Sequence, residues 1–330
     1  MDQKSYGSFL PWTNSPELLV QARSAPDDRS GSVYLYDEKL KLAAEIAIVV
    51  QRPLLLRGEP GCGKSSFAAF VARNLGWRYY EWTMTGRTEA RDLLWRFDAL
   101  SRLRDAQVGE AVPAHRYVSP GVLWLAFNPG DAMRFTAQHR GGTHGLHNPW
   151  EEINTNRSSD SAVVLIDEID KAQPDVPNDL LEVFGLNRFN VTDINHTVTR
   201  SASAPGNGAE KPSQILFILT TNEERELPPA FLRRCVTYTI QEPDSVDAQI
   251  ARLAAIAELH IPTESRGLAF SSMATAVARK CCEMRQQARK IRRRPPSTAE
   301  FLDALFVCLQ LGITPEHPAW VEVEGNVFLK

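Results

Sequence analysis

The sequence predicts an α/β fold in which a parallel sheet with flanking helices is followed by a smaller α-helical domain. Two apolar runs support the sheet, in SAVVLIDEID (161–170) and QILFILTTN (214–222), because a strand covered on both faces is apolar at consecutive positions. Helical stretches alternate with such runs, which is typical of a parallel sheet. After Ser245 the pattern is helical to the end of the chain.

Length and composition indicate more than one domain. The 330 residues exceed one average domain. The first 31 residues are rich in Ser, Pro, Asp and Arg, and we expect a loosely held tail there. We therefore predict a tail at 1–31, an α/β domain at 32–243 and an α-helical lid domain at 244–330.

Local patterns predict the individual elements. Residues 37–50 predict an amphipathic helix that Pro53 ends, with Leu40, Ala43, Ala44 and Ile48 on one side. Residues 83–160 show no regular pattern and are predicted to be irregular. The other early elements are a strand at 54–56, a helix at 67–75, an aromatic-rich strand at 77–82 and a last strand within 236–243.

Charge and cysteine content limit the class of protein. The chain has 37 Lys and Arg against 40 Asp and Glu, and this net charge of −3 provides no general attraction to nucleic acid or to an anionic membrane surface. The five cysteines lack C-x-x-C spacing, which favours a reduced, cytoplasmic compartment. No apolar stretch has the length of a membrane span, and MDQKSYGSFLPW lacks a signal-peptide core, so we expect no membrane insertion.

A glycine-rich turn follows the first predicted strand. Residues 58–65 read GEPGCGKS, a complete G-x-x-x-x-G-K-S motif between a strand and a helix. Glycines let consecutive backbone N–H groups point at an anion, and the positive end of the following helix faces the same place. The turn is therefore predicted to bind nucleotide through Gly58, Glu59, Pro60, Gly61, Cys62, Gly63, Lys64, Ser65 and Ser66, with Lys64 on the β- and γ-phosphates and Ser65 on Mg²⁺.

Two acidic residues, Asp167 and Glu168, follow the buried run 163–166. Asp167 stands at the carboxyl end of a strand, where parallel sheets bind phosphates, and is predicted to bind the nucleotide's Mg²⁺. Glu168 can polarise an attacking water, which favours hydrolysis over passive binding. A solvated turn or a helix cap also fits two adjacent acids, but the preceding phosphate-binding turn favours the catalytic interpretation.

Asn222 and a pair of arginines follow the next strand. The Asn222 amide is predicted to hydrogen-bond the γ-phosphate or the attacking water, with a strand-end cap as the alternative. Arg233 and Arg234 lie in LPPAFLRRC (227–235). An arginine beyond the sheet edge suits the spread negative charge on a neighbouring subunit's phosphate, with a plain surface arginine as the alternative.

Together these motifs resemble the AAA+ ATPases, and within them the MoxR-like group of the helix-2-insert clade, a dynein-related type. The resemblance extends from Tyr34 onward, through PLLLRGEPGCGKS (53–65) for Walker A and VVLIDEIDKAQPDVPNDLLEVF (163–184) for Walker B. LTTNEERELPPAFLRRC (219–235) resembles sensor 1 and the arginine-finger segment. The resemblance implies ATP and Mg²⁺ as ligands of Lys64 and Ser65, metal assistance by Asp167, water activation by Glu168, sensor 1 at Asn222, and a finger acting in trans at Arg234, with Arg233 in reserve.

The resemblance also implies roles for the less regular segments. YVSPGVLWLAF (117–127) is similar to the insert segment that projects toward a ring pore, and NRFNVTDINHTVTR (187–200) to the pre-sensor hairpin. The polar stretch 201–213 would then return the chain to the sheet. PPSTAEFLDALFVCL (295–309) resembles the helix that carries sensor 2, but Thr298, Ala299 and Glu300 stand where the family often has an arginine, which leaves Arg293 or Arg294 as a substitute.

The resemblance implies a ring-forming ATPase, expected as a hexamer, that remodels a protein partner. The family association suggests a partner with a von Willebrand factor A domain, and residues 34–36 would lie near the adenine. One alternative is a nucleotide-controlled switch or scaffold that hydrolyses slowly. Another is a nucleic-acid-dependent motor, but the basic run within 280–294 is more typical of a solvated helix face, and nucleic acid is not an expected partner. His139, His144 and His147 lack the companion ligands of a zinc site and are predicted to lie in an exposed loop.

Overall fold

A computed structural model gives the positions of most of the chain. It describes residues 31–108, 112–139, 149–157, 161–201, 213–261, 263, 266–267 and 269–328. The predicted tail up to residue 30, the polar stretch at 202–212, and His144 and His147 lie outside the described residues.

The first elements follow the sequence pattern closely. Helix α1 (Glu38–Val49) begins where the Asp37 carboxylate accepts a hydrogen bond from Leu40 N at 2.6 Å, which caps the helix. Strand β1 (Leu54–Arg57), helix α2 (Lys64–Asn74) and strand β2 (Arg78–Thr83) come next. Helix α2 starts three residues before the predicted position, because its first turn, Lys-Ser-Ser, is polar and shows no apolar period. The four apolar residues predicted on one side of α1 are buried: Leu40, Ala43, Ala44 and Ile48.

A five-stranded sheet has the order β2-β5-β8-β1-β9, where β5 is Ala162–Asp167, β8 is Ile215–Thr221 and β9 is Val236–Thr239. The pairs β2–β5, β5–β8 and β8–β1 are parallel, as predicted. Every residue of β5 is buried, which accounts for its unbroken apolar sequence.

The register of these strands brings the carboxyl ends of β2, β5, β8 and β1 to one edge of the sheet. Thr83 pairs with Asp167, Ile166 pairs with Leu219, and Arg57 pairs with Thr221. The polar residues that end β5 and β8 therefore lie side by side. In α/β sheets this edge is where ligands bind.

The described part of residues 83–160 is not irregular, and that prediction was wrong. In order, the segment contains α3 (Ala90–Leu94), β3 (Trp95–Phe97), α4 (Ala99–Gln107), a 3₁₀ turn (Ala114–Tyr117), β4 (Val118–Pro120), α5 (Val122–Phe127), α6 (Pro129–His139) and α7 (Glu151–Asn154). These elements are short, and helix α5 is buried at all six positions, so no apolar period marks it as a helix. Strands β3 and β4 form a separate antiparallel pair.

The expected hairpin is present after a further helix. A 3₁₀ turn (Ile169–Lys171) leads to helix α8 (Val176–Leu186), and strands β6 (Arg188–Val191) and β7 (His196–Thr199) pair in antiparallel fashion. Helix α9 (Pro229–Leu232) follows the sheet strand β8 and precedes β9.

The described residues after Ser245 are mainly helical, as predicted. Its elements are α10 (Val246–His260), α11 (Phe270–Lys290), α12 (Thr298–Leu311), α13 (Trp320–Val323) and a closing π-helical turn (Glu324–Phe328). Ser245 and Ser297 cap α10 and α12 through their side-chain oxygens. The helices share a core of buried apolar side chains that includes Val277, Phe301 and Leu305.

The described residues group into two units built from separate segments of the chain. One contains Lys41–Arg57 and the described part of Val71–Tyr238. The other contains residues 31–40, Gly58–Phe70 and the described part from Thr239 onward. The boundary after residue 243 stays a prediction. Within the described segments, no helix combines the length and the apolar character that crossing a membrane requires.

Candidate nucleotide site

The glycine turn has the backbone that an anion-binding loop needs. Gly58, Gly61 and Gly63 all have positive φ. Gly61 has φ 77°, and a Cβ there would lie 2.4 Å from the Ser297 Cβ, so only glycine fits this position. The loop therefore depends on glycine for its conformation and for its close approach to the start of α12.

Lys64 is the first residue of α2 and is 6% exposed. Its Nζ donates hydrogen bonds to the backbone oxygens of Gly58 at 2.7 Å and Glu59 at 3.0 Å. The ammonium group therefore lies inside the loop, at the positive end of the helix dipole. This concentration of positive charge suits phosphate binding. Ser65 and Ser66 follow in the first turn of α2 and are half-buried.

Cys62 is the one ionisable thiol within the loop. Burial raises its pKa, and the nearby Lys64 charge only partly opposes this. The thiol is therefore protonated near neutral pH, which fits a small packing side chain better than a nucleophile. Glu59 and Pro60 are exposed at the tip of the loop.

A hydrogen-bonded cluster joins the ends of β5 and β8. The Thr220 hydroxyl donates to Asp167 Oδ1 at 2.5 Å and accepts a hydrogen bond from Glu168 N at 2.9 Å. Glu168 has φ 59°, an uncommon conformation for a residue other than glycine. Thr220 thus fixes both acids and holds Glu168 in a left-handed conformation. Such conformations are found mainly where function requires them.

Two further side chains hold the Glu168 carboxylate. Lys171 Nζ lies 2.9 Å from Glu168 Oε1, and Asn222 Nδ2 donates to the same oxygen at 3.4 Å. The hydrogen bond between Lys171 and Glu168 raises the pKa of Lys171. The structure brings Asp167, Glu168 and Asn222 together, as the sequence predicted. It adds Thr220 and Lys171, which the sequence analysis missed.

Comparison with known proteins gives the family. Residues 53–235, more than half of the chain, match the AAA domain of the dynein-related subfamily. The chain belongs to this AAA family. No curated protein sequence matches it at a significant level. Among solved structures, it is similar to a mutant of RuvB from Thermotoga maritima, at 13% identity over 83% of this chain and 69% of that one, with a TM-score of 0.36.

The AAA domain carries both candidate finger residues on its surface. Arg233 and Arg234 follow helix α9 and are exposed. Their backbone is anchored, since Arg234 N donates to Phe231 O at 3.0 Å and Phe231 is fully buried. Both arginines are therefore accessible to another molecule, and their assignment as fingers stays a prediction.

A third arginine, which the sequence analysis missed, contacts the glycine loop of the AAA domain. Arg289 Nη2 in α11 lies 2.8 Å from Glu59 Oε2. Of the two residues considered for sensor 2, Arg294 pairs with Glu300 at 3.2 Å, and Arg293 N donates to Ala288 O at 2.8 Å. A basic residue in the last turn of a helix was the only signal for Arg289, and many solvated arginines share it.

Tyr34 packs beside the same loop. Its ring centroid lies 5.4 Å from that of Phe67 and 5.6 Å from that of Phe70, both in α2. A Cβ added to Gly63 would be 3.1 Å from the Tyr34 ring. The segment predicted to lie near the adenine is therefore at the glycine loop, and contact with a base stays a prediction.

Proposed function

We propose that the protein is an ATP-hydrolysing AAA+ ATPase of the MoxR-like group, which assembles into a hexameric ring and remodels a protein partner. One observation carries the proposal of hydrolysis: Glu168 is held at its carboxylate by Lys171 and Asn222 and at its backbone by Thr220. A carboxylate fixed directly after a buried aspartate suits the activation of a water molecule.

Mg-ATP is the substrate in this proposal. The N–H groups of the glycine loop and of the first turn of α2 supply partial positive charge to the phosphates, and Lys64 supplies a full charge. Ser65 and Asp167 provide oxygen ligands for Mg²⁺. One hydroxyl and one carboxylate are a typical protein contribution, because Mg²⁺ takes its other ligands from phosphate and water.

Hydrolysis uses the cluster at the sheet edge. Glu168 accepts a proton from the attacking water as the oxygen bonds to the γ-phosphorus and the bond to ADP breaks. Asn222, already hydrogen-bonded to Glu168, orients the water or the γ-phosphate. Arg234 of an adjacent subunit, or Arg233, stabilises the charge that spreads over the phosphate oxygens.

The catalytic base can be tested with matched variants. Glu168→Gln should lower phosphate release by ~10²- to 10⁴-fold and leave binding of a fluorescent ATP analogue intact. Glu226→Gln removes an exposed acid from the segment after β8 and should change neither property. Wild-type turnover in Glu168→Gln would refute the assignment of the base, and unchanged nucleotide binding in Lys64→Ala would refute the proposed ATP site.

The remodelling role needs a partner, and the Glu168→Gln form should trap one in the ATP state. We expect a protein with a von Willebrand factor A domain, and its addition should raise the turnover of the unmodified ATPase. Slow turnover that a bound partner leaves unchanged would favour a switch or scaffold. Turnover stimulated by DNA or RNA in a salt-dependent way would favour a motor.

A further inference from the structure

A concave site lies in the AAA domain, away from the glycine loop and from the cluster at the sheet edge. Its cavity of about 250 Å³ is bounded by the 3₁₀ turn Ala114–Tyr117, helix α6 and the β6–β7 hairpin. None of the nucleotide-site residues lines it. The lining side chains are His115, Asp131, Arg134, Phe135, Gln138, His139, Ile194 and His196.

Helix α6 supplies most of the side chains that line this cavity. Its five lining residues have the spacing i, i+3, i+4, i+7 and i+8, which places them on one face of the helix. This face contains one buried aromatic, Phe135, and four polar or charged side chains. Arg134 and Gln138 are exposed, and the cavity gathers them with His139 around the buried Phe135, so a few polar groups converge on one concave surface where a ligand can bind.

The aromatic residue at the base of the cavity positions two imidazoles. The His139 ring centroid lies 4.8 Å and the His196 centroid 5.8 Å from that of Phe135. His115 lies 4.0 Å from His139, centroid to centroid. Residues from three separate elements therefore place their rings around one small volume.

Asp131 is the single acid among the described residues of the lining, and its bonds hold the wall of the cavity in place. Its Oδ2 accepts a hydrogen bond from Trp124 Nε1 at 2.9 Å and lies 2.9 Å from His196 Nε2. His196 also stacks on Trp124, with 5.2 Å between centroids. The carboxylate thus fixes His196, and its other oxygen lies 4.0 Å from Nη2 of Arg134. The remaining polar side chains that the structure describes in the lining can donate: one guanidinium, one amide and two imidazoles.

We propose that this cavity binds a compact oxyanion, a phosphate or a carboxylate group, through Arg134, Gln138, His115 and His139. Arg134 supplies a permanent positive charge, and its planar guanidinium matches two oxygens of such a group. The volume suits one small group rather than a nucleotide. A transition metal is a poorer occupant, because among the described residues no three His, Cys, Asp or Glu side chains converge on a metal position.

Proton uptake should accompany binding. Burial and the nearby His115 and His196 lower the pKa of His139. An anion in the cavity opposes these effects and favours the protonated ring, so affinity should rise as the pH falls toward the ordinary histidine value of ~6.5. The charged and titratable groups around His139 are His115 from the 3₁₀ turn, Asp131 and Arg134 from α6, and His196 from the hairpin.

Side-chain NMR of the full chain tests the site directly. The ¹H–¹⁵N signals of the three imidazoles are followed while inorganic phosphate or acetate is added at constant pH and constant ionic strength. We expect saturable shifts with at least one probe, and tighter binding near pH 6 than near pH 8. Arg134→Gln should weaken binding by ~10-fold or more. Its side chain is 70% exposed, so the substitution should not disturb the fold.

A matched control separates this site from general electrostatics. Arg188→Gln removes an exposed arginine of β6 that does not line the cavity, and it should leave the affinity unchanged. The proposal is wrong if sodium chloride gives the same shifts, if the two arginine variants bind equally, or if the imidazoles respond only to Zn²⁺. Loss of ATPase activity would leave these signals unaffected, so the outcome does not depend on the nucleotide site.

Discussion

Arg289 of helix α11 holds Glu59 of the glycine loop, with 2.8 Å between Nη2 and Oε2. The same nitrogen lies 2.6 Å from Oε2 of Glu242, which follows the last sheet strand. The other oxygen of Glu242 is 2.5 Å from Nη1 of Arg285, a buried arginine one turn earlier in α11. These hydrogen bonds to two carboxylates raise the pKa of Arg289. Helix α11 thereby fixes the acidic side chain of the loop that should receive phosphate.

Replacing Arg289 with Gln should weaken ATP binding. The substitution leaves the Glu59 carboxylate without its nearest cation, in a loop that must accept a triphosphate, so we expect the KM for ATP to rise a few-fold with a smaller change in kcat. Stability should fall by less than about 1 kcal/mol, because the Arg289 side chain is 39% exposed and solvent screens the pair. Phosphate-release kinetics and thermal unfolding measure both effects.

Two companion variants distinguish this effect from a general loss of charge. Arg279→Gln removes an exposed arginine of the same helix α11 that has no assigned role, and it should leave the KM unchanged. Adding Glu59→Gln to Arg289→Gln removes the unpaired carboxylate and should restore much of the affinity. An equal rise of KM in both arginine variants would argue against a specific role for the Arg289–Glu59 pair.

Thr220→Val should damage both stability and turnover. Valine has nearly the same shape but leaves Asp167 Oδ1 and Glu168 N without the hydroxyl that bridges them. Loss of buried hydrogen bonds of this kind costs ~1–3 kcal/mol, and freeing Glu168 from its left-handed conformation should displace the proposed base. Thr220→Ser keeps the hydroxyl and is the control. Denaturant unfolding and kcat measure the result, and a valine variant with unchanged kcat would separate Thr220 from catalysis.

The sequence predicted the sheet well because its central strands are buried on both faces. Strand β5 is apolar at every position before Asp167, and the acids mark its end. Thr220 was missed for a related reason. A threonine late in a strand is also a common strand-forming residue, and its partnership with Asp167 depends on the β5–β8 register, in which Ile166 pairs with Leu219.

The sequence did not predict the elements within residues 83–160 or the contacts of the arginines in α11, for different reasons. Helix α5 is wholly buried and six residues long, so it has no polar face from which a helical period could be seen. His139 was expected in a loop but is the last residue of α6. The contact of Arg289 with Glu59 joins positions 230 residues apart, which no local pattern encodes.

Labelling of Cys62 should depend on pH and on nucleotide. Burial raises the pKa of this thiol, so alkylation should be slow near neutral pH and should accelerate with each added pH unit between about pH 7 and about pH 9, as the thiolate fraction grows. ATP in the loop should slow it. Burial raises the pKa of Cys235 and Cys281 to about 12 and that of Cys308 to about 11, and these should remain unlabelled.

Mass spectrometry after timed alkylation locates each label, and Cys62→Ser identifies the signal of the loop. Cys62 is half-buried, so reagent can reach it without global unfolding. A labelling rate that ATP does not alter would be inconsistent with nucleotide bound at this loop. A rate that does not vary with pH would be inconsistent with a raised pKa.

The proposed arginine finger can be tested by mixing subunits. If each site uses its own Glu168 and an arginine of its neighbour, Glu168→Gln and Arg234→Ala are each inactive alone. In a ring assembled from equal amounts of both variants, half of the subunits have an intact Glu168 and half have an intact Arg234. About one interface in four therefore pairs an intact Glu168 with an intact arginine of the neighbour. Phosphate release by co-expressed mixtures should therefore recover to about a quarter of the wild-type rate.

A parallel mixture with Arg233→Ala distinguishes the two candidate arginines. Arg233→Ala, tested in parallel, should complement Glu168→Gln only if Arg233 is the finger, since both arginines are exposed after α9 and their positions alone do not choose between them. Arg225→Ala removes another exposed arginine of the same segment and should remain active by itself. Full activity of both Arg233→Ala and Arg234→Ala would show that neither completes a neighbour's site, and a mixture no faster than its separate components would show that the site is not shared between subunits.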